Sequence, residues 1–129
     1  MNIHMNAPIL TASHYGVVRF GDLDCEAVVL TTGERGYVRK QVAKLLGLHE
    51  NNTGHRFRQI LADFSPKSLS ELDKFESPIL LPSGRRAQFF PAGVITQIAS
   101  GVIDAAINQT LHGARKKLVP NCMKIIRAL

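Results

Sequence analysis

The sequence predicts an α+β fold, in which small antiparallel strands and hairpins pack on several helices and one long helix is buried. Two patterns indicate this fold class. Short runs of β-branched residues between turn residues, typical of antiparallel strands, fill the N-terminal part. Later parts of the chain show apolar residues at helical spacing. With 129 residues, 45% of them apolar, the chain suits one domain with its own core.

The N-terminal elements follow from this pattern. Residues 1–13 show no periodicity and are expected to form a flexible arm before a single domain over residues 14–129. The runs HYGVVRFG and EAVVLTTG predict two strands joined by the turn GDLD. Tyr37 and Val38 are expected to add a short third strand.

Helices are predicted next. Residues 38–48 place their apolar side chains on one helical face, and Gly47 is expected to cap the C-terminal end of this helix. A second helix is predicted over residues 56–64. The segment SPKSLSELDKFESP then predicts a turn and one helical turn, in which Ser68 and Glu71 form a capping-box pattern.

The rest of the chain predicts a hairpin and two helices. PILLP and RAQFF flank SGR, which is a hairpin signal. A helix from Pro91 to about Leu111 is apolar on nearly all sides, and we expect it to be the buried spine of the fold or part of a homodimer interface. Gly113 is expected to end it. A basic helix closes the chain, with Pro120 in its first turn or at a kink.

Several classes of function are not indicated. Cys25 and Cys122 are too far apart for a disulfide framework or a zinc site, and His49 and His55 lack the spacing of a zinc-binding pair. Cys25 is expected to be buried in its strand, whereas the lysines near Cys122 would lower the pKa of that thiol. Without a catalytic constellation, we expect no enzyme and no cofactor. The sequence shows neither a membrane span nor a signal peptide, so a cytoplasmic location is expected.

The net charge of +6 is clustered in two segments. Residues 33–58 carry six basic and two acidic residues, a net +4, and residues 113–129 carry five basic residues and no acidic one. Such clusters favour DNA or an acidic protein as a partner, although ordinary solvated helix surfaces are the alternative. The candidate contact residues are Arg35, Arg39, Lys40, Lys44, Arg56, Arg58, Arg85, Arg86, Arg115, Lys116 and Lys117.

The first basic helix is expected to turn Arg39, Lys40 and Lys44 away from its apolar face and towards solvent. Part of it also matches the first helix and turn of a helix-turn-helix pattern, through Ala43, Gly47 and Leu48. The polar segment HENNTGH that follows is longer than the tight turn of that motif. A true helix-turn-helix is therefore not predicted.

Several segments follow one another in a recognisable order. GVVRFGDLDCEAVVLTTGERGYVRKQVAKLLGL is similar to a G-V-L-x-I-G-D strand, an A-V-L-x-D-G-x-R strand and a G-V-A-K-A-L-G helix. HRFRQILADFSPKSL, SPILLPSGRRAQFFPAGVI and MKIIRAL match later pieces. Together, over roughly residues 15–129, they resemble the N-terminal region of phage- and prophage-encoded proteins of the P-sixty-three-C type, loosely grouped with Bro-type and antirepressor-like proteins.

This resemblance implies a non-enzymatic regulatory module of a phage or mobile element that binds DNA in the cytoplasm of a bacterial host cell. The alternative is an antagonist, an antirepressor or anti-defence inhibitor such as an anti-CRISPR-type protein, that binds a host or phage protein instead. A homodimer would suit the first role, because the symmetry of a dimer matches a pseudo-palindromic DNA site.

Overall fold

The computed structural model describes residues 9–48 and 54–128, and it confirms the α+β fold. Its strands are β1 (Ala12–Phe20), β2 (Leu23–Leu30), β3 (Arg35–Val38), β4 (Ile79–Leu80), β5 (Arg86–Ala87) and β6 (Phe89–Pro91). Its α-helices are α1 (Arg39–Leu45), α2 (His55–Phe64), α3 (Ser68–Asp73), α4 (Ala92–Ile107) and α5 (Val119–Ala128). A 3-10 helix, Gly113–Leu118, lies between α4 and α5.

The main sheet has the order β1-β2-β3-β6, and all its neighbouring strands are antiparallel. β1 and β2 form the predicted hairpin around a two-residue turn, in which Gly21 has a φ of +69°. A positive φ at this place is typical of tight hairpin turns. β1 begins at Ala12, inside the segment predicted to be an arm, and residues 1–8 lie outside the described residues.

The sequence patterns did not distinguish β6 from the hairpin strand that precedes it. RAQFF was expected to be one arm of a hairpin, but only its first residues pair with β4, while Phe89–Pro91 pair with β3. Gly36 lies opposite Pro91 in this pairing. A Cβ at Gly36 would overlap the carbonyl oxygen of Phe90 and the ring of Phe89. The join between β3 and β6 therefore requires glycine at this position.

Apolar side chains from the helices and the sheet form the core in two parts. In the larger part α1, α2, α4 and α5 pack on one face of the sheet, where Phe90 meets the ring of Phe57 edge to face. In the smaller part Phe89 packs on Phe75 beneath the β4–β5 hairpin, together with Val28 and Leu30 of β2. α4 buries five apolar residues, so its predicted role as the spine is confirmed.

The ends of three helices test the capping predictions. Gly47 has a φ of +84° after α1, and the N–H of Leu48 donates to the carbonyl of Ala43 at 2.8 Å, so the predicted C-terminal cap is confirmed. Pro120 lies in the first turn of α5, which decides between the two predicted positions. The capping box is wrong, because the hydroxyl of Ser68 donates to Oε1 of Gln97 at 2.6 Å instead of capping α3.

α4 ends at Ile107, earlier than predicted, and Gly113 does not end it. Gln109 adopts a φ of +59°, and the N–H of Thr110 donates to the carbonyl of Ala105 at 2.9 Å. This geometry closes the last helical turn with glutamine at a position that usually holds glycine. The chain reversal at Gln109 brings the segment that follows back towards α2.

Candidate functional site

A cavity of about 290 Å³ lies where the two basic segments of the sequence meet. Arg56 and Gln59 of α2 line one side, and His112 and Arg115 line the other. Leu48, Ile60, Ala114 and Leu118 complete its lining. Part of each predicted segment, 33–58 and 113–129, is therefore brought to one place by the fold.

The 3-10 helix has one buried side chain, that of Leu118, and most of its basic residues are therefore exposed to solvent. Leu118 packs in the core, whereas Lys116 and Lys117 are exposed. His112, just before this helix, also lines a cavity of about 550 Å³ together with Lys116. We call Arg56, His112, Arg115, Lys116 and Lys117 the basic surface.

Arg115 is oriented by an ion pair across the cavity edge. Its Nη2 donates to Oδ2 of Asp63 on α2 at 2.8 Å, and its side chain is less exposed than that of Asp63. An arginine has five N–H donors, so one bond to a carboxylate leaves others for a ligand. Within residues 9–48 and 54–128, Arg56, Lys116 and Lys117 make no ion pair with an acidic side chain.

Two other candidate residues are engaged by acidic side chains. Arg58 contacts Asp73 at 2.8 Å and Glu76 at 3.3 Å, and the hydrogen bond to Asp73 raises the pKa of its guanidinium. Arg85 contacts Glu26 at 2.7 Å. Both cations therefore have internal partners and offer less free positive charge to a ligand.

The prediction that Arg39 faces solvent is wrong. The residue is only 4% exposed, and its Nη2 donates to the carbonyl oxygen of Phe75 at 3.4 Å. Burial lowers the pKa of its guanidinium, and no hydrogen-bond partner for Nε is found among the described atoms. Arg39 is the first residue of α1, and its side chain extends back towards the N-terminal end of the helix. The spacing of the apolar residues along α1 gives no information about which elements cover that end.

The remaining candidates lie elsewhere on the surface. Lys40 and Lys44 are exposed on α1, and Arg86 is exposed in β5. Arg35 lines a cavity of about 390 Å³ beside the start of α4, together with His14 and Tyr37. None of these four residues lines the cavity between α2 and the 3-10 helix.

Two polar members of the site, Gln59 and His112, were missed by sequence reasoning. Arg56 and Gln59 are three residues apart on α2, so helical spacing could have paired them. His112 carries no such local signal, since only the chain reversal at Gln109 places it against α2. The ion pair between Asp63 and Arg115 likewise depends on tertiary packing.

Three acidic residues of the first hairpin form ion pairs within the protein, and both cysteines are buried. Asp22, Asp24 and Glu26 contact Lys124, Arg19 and Arg85 respectively. Burial raises the pKa of the Cys25 and Cys122 thiols to about 12, so the predicted lowering at Cys122 is wrong. No group of three metal-ligating side chains occurs in the part of the chain that the structure describes, in which His49 is not included.

Comparisons of the chain with protein families, with curated proteins and with solved structures found no match. Among the described residues no helix has the length and apolar character needed to cross a membrane.

Proposed function

We propose that the chain is a non-enzymatic regulatory module of a phage or mobile element that binds DNA through the basic surface. One observation carries this proposal: Arg56 and Arg115, from the two separate basic segments, line the same cavity. Lys116 and Lys117 extend the positive charge beside it. The resemblance to phage proteins supports the biological setting.

The chemistry of the surface suits phosphate better than base edges. Guanidinium groups can bind phosphate oxygens through two parallel hydrogen bonds, and exposed lysines act as point charges. Neutralising phosphates releases counterions, which makes the binding dependent on salt. Contacts of this kind position a protein on DNA and carry little sequence information. We therefore expect binding with weak sequence preference.

Fluorescence anisotropy with a labelled duplex at 50 and 200 mM salt tests this function. For three phosphate contacts, the affinity should fall roughly forty-fold between these concentrations. The variant Arg56→Ala/Lys116→Ala/Lys117→Ala should bind more weakly and lose most of this salt dependence. Absence of binding by the unmodified chain at 50 mM salt would overturn the proposal.

The matched control is Arg35→Ala/Lys40→Ala/Lys44→Ala, which removes the same charge from other predicted contact residues. We expect it to bind DNA more strongly than the first triple variant. A larger loss in this control would place the DNA contact on β3 and α1 and would contradict the role of the basic surface.

The apolar part of the cavity lining favours a second candidate function. Leu48, Ile60 and Leu118 lie beneath the cationic rim, an arrangement that suits the aliphatic stem and the carboxylate of a glutamate. The chain would then act as an antirepressor or anti-defence inhibitor, such as an anti-CRISPR-type protein, on an acidic protein partner. Pull-down from a nuclease-treated host lysate separates the two candidates. A retained protein that the triple variant of the basic surface loses would support the second one.

We also propose a cytoplasmic homodimer. The outer side of α4, which the sequence suggested as an interface, offers little apolar surface in the structure. Ile107, 73% exposed, is the large apolar residue of α4 that remains well exposed among those described. The homodimer is therefore expected to use a surface other than α4.

A further inference from the structure

β1 is an outer strand of the main sheet and carries the largest group of exposed apolar residues among those described. Every residue from 13 to 19 is exposed. Val17 is 57% exposed, Tyr15 46% and Val18 39%. A long exposed strand edge with apolar side chains is a template for pairing with another strand.

The register of the hairpin shows which backbone groups of β1 are free. In a hairpin with a two-residue turn, the residues that flank the turn, Phe20 and Leu23, form a hydrogen-bonded pair. Bonding then alternates, so Gly16 and Val18 bond to β2, while the N–H and C=O groups of Tyr15, Val17 and Arg19 point outwards. The bond from the N–H of Leu30 to Glu34 agrees with this alternation, because it directs the even-numbered residues of β2 to the β3 side.

We propose that β1 pairs antiparallel with β1 of a second copy of this chain, centred on Val17, so that the two sheets become one continuous sheet. The outward-facing groups of Tyr15, Val17 and Arg19 supply the hydrogen bonds of this pairing. The inference gives the proposed homodimer its surface. It does not depend on whether the basic surface binds DNA.

The side chains of β1 are complementary to themselves in this register. On one face, Val17 meets Val17 of the second copy, and Tyr15 meets its Arg19, which permits a cation–π contact on each side of the symmetry axis. In a single copy both side chains contact acidic residues of β2, Tyr15 through a hydrogen bond to Glu26 and Arg19 through an exposed ion pair with Asp24 at 3.1 Å. Such exposed contacts are weak, so they can be exchanged for the contacts across the strand edge.

On the other face of the sheet, Val18 meets Gly16 of the second copy. A Cβ built on Gly16 would meet no atom within 4 Å, so the space beside this glycine can receive the valine. No pair in this register places two like charges opposite each other. Such pairs would destabilise a sheet.

A second copy is favoured as the occupant by the sequence of the edge. β1 contains no lysine or proline, the residues that commonly protect an edge from pairing, and its irregularity lies at its beginning, between Ala12 and His14. Because the strand pairs with itself, a two-fold axis closes the assembly at two copies. The pairing thus accounts for the exposed apolar residues without a different partner.

Sedimentation equilibrium over a range of protein concentrations, without DNA, tests the surface. We expect a dimer for the unmodified chain and at least a roughly tenfold rise in its dissociation constant for Val17→Lys, which places two lysines opposite each other. Ile107→Lys, on α4, is the control and should remain a dimer. Far-UV circular dichroism checks that each variant is folded.

Cysteine cross-linking tests the register. Val17→Cys places two thiols on residues whose Cα atoms are about 5.5 Å apart in a hydrogen-bonded pair, within the range for a disulfide. Val18→Cys is the control, because Val18 lies opposite Gly16 and not opposite itself. We expect rapid dimer formation only for Val17→Cys. A monomeric unmodified chain, a dimer that Val17→Lys leaves intact, or cross-linking of Val18→Cys alone would overturn the proposal, and none of these results depends on DNA binding.

Discussion

The guanidinium of Arg39 donates to the carbonyl oxygen of Phe75 inside the protein, and the Nε of the same side chain has no partner among the described residues. Arg39 is therefore a buried cation with incomplete hydrogen bonding. An unsatisfied buried donor lowers stability. Because the bond to Phe75 is long, at 3.4 Å, an apolar side chain of similar shape at position 39 would lose little and would remove the unsatisfied Nε. The position is structural, and it offers no charge to a ligand.

We expect Arg39→Met to keep the free energy of unfolding within about 1 kcal/mol of the unmodified chain, or to raise it. Arg39→Ala removes the aliphatic stem as well and should lower that free energy by more. Urea denaturation measures both. A loss of about 3 kcal/mol or more in Arg39→Met would instead show that the guanidinium stabilises the fold through Phe75 and through the charges of Glu76 and Asp73.

Arg56 and Arg58 lie two positions apart on α2 and differ in their internal partners. Arg58 contacts Asp73 and Glu76, whereas Arg56 lines the cavity with Arg115. We expect Arg56→Ala to reduce the slope of log affinity for DNA against log salt by about 1, and Arg58→Ala to reduce it less. Anisotropy titrations over a salt series measure the slope. Equal reductions would contradict the assignment of Arg56 to the contact and of Arg58 to internal ion pairs.

Two glycines of α4 have opposite surroundings. A Cβ on Gly101 would overlap the carbonyl oxygen of Phe64 at the end of α2, whereas a Cβ on Gly93 would meet nothing within 4 Å. Gly101→Ala should therefore lower the free energy of unfolding by roughly 1–3 kcal/mol. Gly93→Ala should raise it by roughly 0.5–1 kcal/mol, because alanine favours a helix over glycine. Urea denaturation of both variants would contradict this packing of α2 on α4 if Gly101→Ala were as stable as Gly93→Ala.

The buried thiols predict a dependence of stability on pH. An unfolded cysteine has a pKa of about 8.5, and burial raises the pKa of Cys25 and Cys122 to about 12. As the pH rises, the unfolded chain loses these protons before the folded chain does. Their contribution to stability is thus complete below about pH 8.5 and is lost as the pH rises towards about 12.

Urea denaturation at pH 8, 9 and 10 measures this effect. Each thiol contributes a decrease of up to about 1.4 kcal/mol per pH unit above its unfolded pKa. Cys25→Ala/Cys122→Ala is the control and should show a smaller decrease, since other groups also titrate in this range. The same slope in the chain and in the double variant would show that the thiols are not protected by burial.

Local signals in the sequence predicted much of the fold. The β-branched runs predicted β1 and β2, and Gly47 predicted the end of α1. Both features were predictable because they depend on a few neighbouring residues. β6 was not separated from the hairpin, because its pairing with β3 depends on residues far apart in the chain. Helical spacing also could not show that Arg39 is covered, since it locates the apolar face of a helix and not the elements packed on its other sides.

The candidate site was predictable to a similar degree. Clustered charge identified both basic segments, and the structure brings Arg56 and Arg115 together. Composition alone could not show which cations have acidic partners, because the contact of Arg58 with Asp73 and that of Arg115 with Asp63 join different helices or segments. His112 lies in the site because the chain reverses at Gln109, which has a positive φ. The sequence does not indicate this reversal, because the position holds glutamine and not glycine.

The antiparallel pairing of β3 with β6 has a consequence for the order of folding. The β1–β2 hairpin needs only neighbouring residues and can form on the order of microseconds. β6 can join β3 only after the chain between Val38 and Phe89, which includes α1, α2 and α3, has been drawn into a closed loop. Closing that loop has an entropic cost that is recovered only when the later contacts form. We therefore expect a folding pathway in which the hairpin is early, and the sheet and the spine helix are completed together in the rate-limiting step.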